Sequence, residues 1–252
     1  MTPNLRDIPP GDFAHAPQAA SSALRDSASL AGQMVSRSYH ESLWEAIPEG
    51  YQPRDLALRR AFLLDRVRGV AGPPAARPDE PVRVLDVGCG EGQLTAELAD
   101  AGFAVVGVDV AEEPLRRARA RHEGLDVRLV SEAEPWPLGD AGFDAVWAGE
   151  TIEHVADTAG WLSEVRRVLR SGGSLLLSTP AHGRLAMLGL ALSARRRDEH
   201  FDPRSDHLRF YTSRTLARLL ADFGFEQIEV RGAGGFPGAR RLLLAAAVRA
   251  RF

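Results

Sequence analysis

The stretch Val82-Arg83-Val84-Leu85-Asp86-Val87-Gly88-Cys89-Gly90-Glu91-Gly92 decides how the rest of the chain is read. Val82, Val84, Leu85 and Val87 form a short apolar run suited to a buried parallel strand. Asp86 lies inside that run, two residues before the first glycine. Gly88, Gly90 and Gly92 then come at every second position, where glycine permits positive φ and lets backbone approach a ligand closely. A helix is predicted over Gln93–Asp100, so the strand ends in a glycine turn at a helix N-terminus, a common docking place for ligands. A nicotinamide dinucleotide fingerprint needs Gly or Ala where Gln93 stands. The carboxylate of Asp86 would also repel a pyrophosphate; it suits a ligand with a cationic end.

Composition narrows the classes. The 252 residues, 44% hydrophobic, suffice for one substantial core with a small appendage. A net charge of −3 gives no electrostatic pull toward nucleic acid or an anionic membrane. The single cysteine, Cys89, excludes an internal disulfide and suits a reducing, cytoplasmic setting; between two glycines it reads as small-residue packing, not as a nucleophile. No run approaches the roughly 20 apolar residues of a membrane helix. Residues 1–13 lack the basic start and apolar stretch of a signal peptide. Every basic residue is Arg and Asn occurs only at position 4, a codon-usage hint of a high-GC genome.

Along the chain, residues 1–35 are rich in Ala, Ser and Pro and read as a poorly ordered segment or loose lid. Residues 36–80 read as a helical cap and linker. Leu43, Trp44 and Ile47 repeat at helical spacing before Pro48; Leu56, Arg60, Leu63, Leu64 and Val67 suggest a core-covering helix over Arg54–Val70. From residue 81 strand and helix alternate, which predicts an α/β fold: a doubly wound, Rossmann-like, mostly parallel seven-stranded sheet. A helix over Ala159–Leu169 is expected to be closed by Ser171-Gly172-Gly173, and Phe225–Arg231 with Arg241–Val248 to form a closing pair of strands. Right-handed crossovers then place the strand ends at Gly88, Asp109, Val130, Ala148 and Thr179 along one edge.

Asp109 ends the second predicted strand about 20 residues beyond the glycine turn, where a carboxylate can accept both hydroxyls of a ribose or, alone, cap the next helix. The D-x-G-x-G of Asp86, Gly88 and Gly90 resembles the first motif of the class I S-adenosylmethionine (SAM) methyltransferases. Ser131 to Asp144 resembles the adenine-side loop of that family, with Glu132 and Ala133 at the adenine-edge positions, Trp136-Pro137-Leu138 at the packing step and Phe143-Asp144 opening the fourth strand. The resemblance spans roughly Val82 to Val248. It implies SAM as cofactor, seated by Asp86, Gly88, Gly90, Asp109, Val110, Glu132, Ala133 and Gly149.

The next motif, Ala148 to Val155, holds Glu150, Glu153 and His154 as E-x-x-E-H. In a helical turn these positions share one face, and two carboxylates with an imidazole make a plausible divalent-metal triad. The motif looks like that of the ubiquinone-pathway and small-RNA terminal-ribose O-methyltransferases, which implies Mg²⁺ or a similar ion on Glu150, Glu153 and His154, joined by His207 of the downstream Asp206-His207 pair. The alternative is a metal-free His154, acting as general base or helix cap. Ala181 to about residue 211 is expected to be an insertion shaping the acceptor pocket; its Arg195-Arg196-Arg197 reads as a solvated helix end or as a site for an anionic acceptor. The expected function is methyl transfer from SAM to a small-molecule acceptor, a hydroxyl first and an amine or amino sugar second. A methyltransferase acting on RNA ribose and a SAM-binding regulator without chemistry stay as rivals, and composition says nothing of the oligomeric state.

Overall fold

The computed structural model describes residues 37–70, 80–131, 135–203 and 205–251. The expected N-terminal segment 1–35 and the adenine-edge pair Glu132 and Ala133 lie outside the described residues. Among the described residues, no helix is long and apolar enough to cross a membrane.

Among the described residues two helices come first, α1 (Arg37–Ala46) and α2 (Leu56–Arg68). Then follow β1 (Arg83–Val87), α3 (Gln93–Asp100), β2 (Ala104–Asp109), α4 (Glu112–Arg121), β3 (Val127–Leu129), β4 (Phe143–Gly149), α5 (Thr158–Val168) and β5 (Leu169–Pro180). Two short helices, α6 (Arg184–Ala191) and α7 (Ala194–His200), precede α8 (Ser213–Asp222), β6 (Phe225–Ala233) and β7 (Leu242–Arg249). The seven strands form one sheet in the order β3-β2-β1-β4-β5-β7-β6. The first five pair in parallel; β7 runs antiparallel between β5 and β6, as the expected closing pair requires.

The central strands are buried on both faces, which is why they read as near-continuous apolar runs. Val84, Leu85, Val146, Ala148 and Leu177 are sealed from solvent, one set packing under α5 and α8 and the other under α2 and α3. The core face of α2 is Leu56, Arg59, Phe62, Leu63 and Val67, turned slightly from the expected stripe. Phe62 lies against Trp147 at 6.4 Å between ring centroids, and Arg60 faces outward to pair with Glu97.

One expectation is corrected. Ser171-Gly172-Gly173 does not close a helix; α5 ends at Val168 and the chain enters β5 at Leu169. Between the pairs Phe143↔Leu169 and Ala145↔Ser174, β5 carries three more residues than β4, a bulge that Gly172 turns with φ +73°. A side chain at Gly173 would meet the Asp144 carbonyl at 3.0 Å, so the glycines serve a tight strand bulge rather than a helix stop.

Candidate functional site

The glycine turn forms as the sequence reads. Gly88, Gly90 and Gly92 all have positive φ, and the amides of Gly88 and Cys89 both donate to the Val108 carbonyl at the end of β2. A Cβ on Gly88 would stand 2.5 Å from Thr151 Oγ1, so the start of the turn is in contact with the segment after β4. Cys89 packs on Gly107 and burial pushes its thiol far up, which fits a packing role.

Two carboxylates flank the turn. Asp86 is buried and accepts a 2.7 Å hydrogen bond from the Thr95 hydroxyl of α3. Burial raises its pKa to about 7; Thr95 works against the shift, and the charge of Asp109 adds to it. Asp109 accepts from the amides of Gly90 at 2.9 Å and Ala111 at 3.0 Å, one on each oxygen. Burial raises its pKa while the backbone amides hold it down. An ionised carboxylate offers about four lone-pair sites, so each Asp109 oxygen keeps one for a ligand hydroxyl.

The end of β4 departs from the expected helical turn. Glu150 takes a left-handed φ of +55°, its amide donates to the Ser178 carbonyl, and its carboxylate accepts from Ser178 Oγ at 2.7 Å. The chain then turns through Ile152, Glu153 and His154 without forming a helix. Glu150 is thereby turned toward β5, away from the expected shared face. Thr151 donates to the Val87 carbonyl at 3.0 Å and ties this turn to β1.

The distant Asp206-His207 pair reaches the same place because the insertion folds back. The amides of Leu208 and Arg209 both donate to the Glu153 carbonyl, and the His182 amide donates to the Tyr211 carbonyl. His154 Nδ1 lies 3.0 Å from the Asp206 carbonyl and 3.5 Å from its carboxylate. A carbonyl only accepts, so Nδ1 carries the proton and Nε2 keeps its lone pair. Burial lowers the pKa of His154, partly offset by Asp206, which favours the neutral imidazole. The His154 and His207 rings stand 4.8 Å apart, edge to face.

Glu153 is 1% exposed, and among the described residues neither of its carboxylate oxygens has a hydrogen-bond partner. Burial first, and then the charge of Glu150, push its pKa well above the usual carboxylate range; the nearby Thr179 hydroxyl opposes this without reaching hydrogen-bond geometry. Glu153, His154 and His207 present ligand atoms all within 4.8 Å of one another, which is the spread that ligands about 2.0–2.6 Å from one cation would show. Glu150 is not in that group.

The segment ahead of β4 is held from α5. Trp136 is buried and its amide donates to Glu164, while Arg167 donates to the carbonyls of Trp136 and Leu138. Asp144, sealed from solvent, accepts from the Arg83 amide at 2.8 Å and Arg170 Nε at 2.6 Å, so it joins three strands. The Arg195-Arg196-Arg197 run sits on α7, where Arg195 is almost wholly exposed and pairs with Glu199 within the helix; the solvated reading fits it. Sequence reasoning missed Thr95, Thr151, Glu164 and Arg167, each an ordinary polar residue on its own.

A methyltransferase-domain family profile matches residues 50–230. The chain belongs to the class I SAM-dependent methyltransferase family. A probable S-adenosylmethionine-dependent methyltransferase of Mycolicibacterium smegmatis is 38% identical over 149 residues, which cover 59% of this chain and 54% of that protein. The ubiquinone biosynthesis O-methyltransferase of Dinoroseobacter shibae is 32% identical over 164 residues, 62% of this chain and 64% of that one. This methyltransferase-family chain therefore spans between about half and two thirds of the length of those curated relatives. In fold it resembles a Haemonchus contortus phosphoethanolamine N-methyltransferase in complex with phosphomonomethylethanolamine and S-adenosylhomocysteine, with a TM-score of 0.56 at 20% identity, over 77% of this chain and 53% of that one.

Proposed function

We propose that this chain transfers the methyl group of SAM to a hydroxyl of a small-molecule acceptor, with His154 as the general base. The observation that carries the reading is the anchoring of His154 Nδ1 on the Asp206 carbonyl, which leaves a neutral imidazole with Nε2 available. In the reaction the acceptor hydroxyl gives its proton to Nε2. Its oxygen forms the bond to the methyl carbon as the carbon–sulfur bond breaks, and the electron pair stays on sulfur, giving S-adenosylhomocysteine. The displacement is in line, so holding the two reactants in register supplies much of the rate. The O-methyltransferase name of the Dinoroseobacter shibae relative supports oxygen over nitrogen as the acceptor atom.

The seat for SAM is Asp109 for the ribose, with Val110 beside it, Asp86 for the ammonium end, and the backbone of Gly88, Gly90 and Gly149. Glu132 and Ala133 complete it at the adenine edge. Residues 81–252 form the SAM-binding unit, residues 36–80 its helical cap and linker, and the insertion of about 181–211 the acceptor wall. A second reading is favoured by the orphaned oxygens of Glu153. There a divalent cation such as Mg²⁺ would be held by Glu153, His154 and His207, and would supply a lowered hydroxyl pKa. A labelled-methyl screen over phenols, sugars and amines tests the function: transfer to hydroxyls, lost in His154→Ala with SAM binding retained, is expected. Transfer to amines alone, or binding of SAM with no transfer, overturns it.

A further inference from the structure

Helix α1 lies ahead of residues 50–230, the part of the chain that matches the family profile, and yet it is built into the site. The Trp44 ring rests on the glycine turn: a Cβ on Gly90 would stand 2.9 Å from its outer carbons. Three residues earlier, both carboxylate oxygens of Glu41 accept from the first-turn amides of α4, Glu112 at 2.6 Å and Glu113 at 2.9 Å. These amides follow directly on Asp109-Val110-Ala111. A carboxylate on the orphan amides of a helix N-terminus makes charge-assisted bonds.

The other end of α1 is held by Arg117 of α4, which is 6% exposed. Its guanidinium donates to the Trp44 carbonyl at 2.9 Å and the Ile47 carbonyl at 2.8 Å, and pairs with Glu113 and Glu91. Glu91 belongs to the glycine turn and also accepts from the Gly50 amide at 2.8 Å. The strap is thus tied to both walls of the cofactor seat. It also reaches the acceptor side, where Tyr39 lies near enough to Asp206 for that charge, after burial, to raise its pKa. Yet among the described side chains of α1 Leu43 alone is buried, with Ile47 just beyond its end; Trp44 is half-buried on the glycine turn, and the other ties are polar. An element with so little apolar burial opens at low cost.

We propose that α1 is a strap closed over the cofactor seat, with Glu41 and Arg117 as its positioning residues and Trp44 as its contact, and that SAM uptake and S-adenosylhomocysteine release require it to lift. The proposal rests on the seat assigned above. The test uses the full chain and S-adenosylhomocysteine as probe, with rapid-mixing tryptophan fluorescence for the rates and hydrogen exchange for the amides. In the wild type, the probe should protect the amides of residues 39–47 along with those of the glycine turn. Glu41→Ala should raise the dissociation rate about tenfold or more, the scale of losing charge-assisted bonds, with association faster as well. Glu41→Gln, which keeps one neutral acceptor, should fall between; it carries the test if the alanine variant does not fold. Unchanged rates in a folded variant overturn the latch. Protection at the glycine turn without protection at 39–47 overturns the strap and leaves the seat standing. A wild type that does not bind the probe overturns the seat, and the strap with it.

Discussion

The Thr95 hydroxyl donates to Asp86 Oδ2 at 2.7 Å with both side chains enclosed, 0% and 2% exposed. A carboxylate buried in this way, with one neutral donor and a second carboxylate nearby, titrates near neutrality, at about 7. A cationic ligand changes that balance, because it stabilises the charged form that burial penalises.

The first prediction concerns pH. The folded-state pKa of Asp86 stands above the unfolded value of about 3.9, so its contribution to stability is present below that value and lost as pH rises through about 7. Three units correspond to about 4 kcal/mol at most. Denaturant melts of the ligand-free protein should therefore show stability declining from pH 4 to 7, with the decline flattened in Asp86→Asn. SAM affinity should run the other way, rising up to about tenfold per unit as Asp86 ionises and the ligand ammonium stays charged. Calorimetry giving pH-independent affinity from 5.5 to 7.5 would separate Asp86 from the ammonium.

A second prediction isolates the contact between Gly88 and Thr151. Gly88→Ala meets both a left-handed φ of +72° and a Thr151 oxygen at 2.5 Å. The strain and the overpacking together should cost about 2–4 kcal/mol of stability. Thr151→Ala removes the clash but also the hydroxyl's bond to the Val87 carbonyl, so measured against Thr151→Ala alone the Gly88→Ala change should cost about half as much, the φ penalty only. Strict additivity in the cycle would show that the two residues do not touch in solution.

The legibility of this protein in its sequence follows the range of the interactions. The strand, the glycine turn and Asp109 are local patterns within about 20 residues, set by alternation, positive φ and chain reversal. His207 was reachable only through the Asp-His pair, because 52 residues separate Asp206 from His154 and no periodicity spans the returning loop. Glu150 stands apart from the cluster of Glu153, His154 and His207 because its left-handed backbone turns its carboxylate to Ser178; Gly and Asn announce such a turn in a sequence, Glu does not. Arg117 was invisible for a different reason. Every basic residue here is Arg, so a buried arginine that ties down a helix looks like its solvated neighbours.

A third prediction follows from Asp144. It is sealed from solvent and answers both the Arg170 guanidinium and the Arg83 amide. Asp144→Ala would leave an arginine and a strand amide short of a partner, and breaking a buried pair costs about 3–5 kcal/mol. Urea denaturation should show that loss, while the folded fraction keeps its SAM affinity. A normal midpoint with lost affinity would make Asp144 a ligand contact instead of a strand clamp.

The fourth prediction separates the base from the cation. Nε2 of His154 cannot accept the acceptor proton and ligate a metal at once. As a base it needs only its neutral ring and the Asp206 carbonyl, so exhaustive chelation should leave turnover intact, and His154→Ala should cost about 10²–10⁴-fold. Glu153→Gln should then be tolerated, because the buried Glu153 carboxyl is already pushed toward its neutral form and the amide keeps its shape. A cation would reverse each result. EDTA would abolish turnover and Mg²⁺ or Mn²⁺ would restore it, with SAM affinity unchanged throughout. Glu153→Gln and His207→Ala would share one phenotype, since each removes a ligand from the same cluster. Glu150→Ala gives an independent check on the geometry. Its carboxylate answers Ser178, so the variant should disturb the turn after β4 and leave any metal dependence as it was. Loss of metal affinity in Glu150→Ala, measured by direct titration, would place its carboxylate back among the ligands.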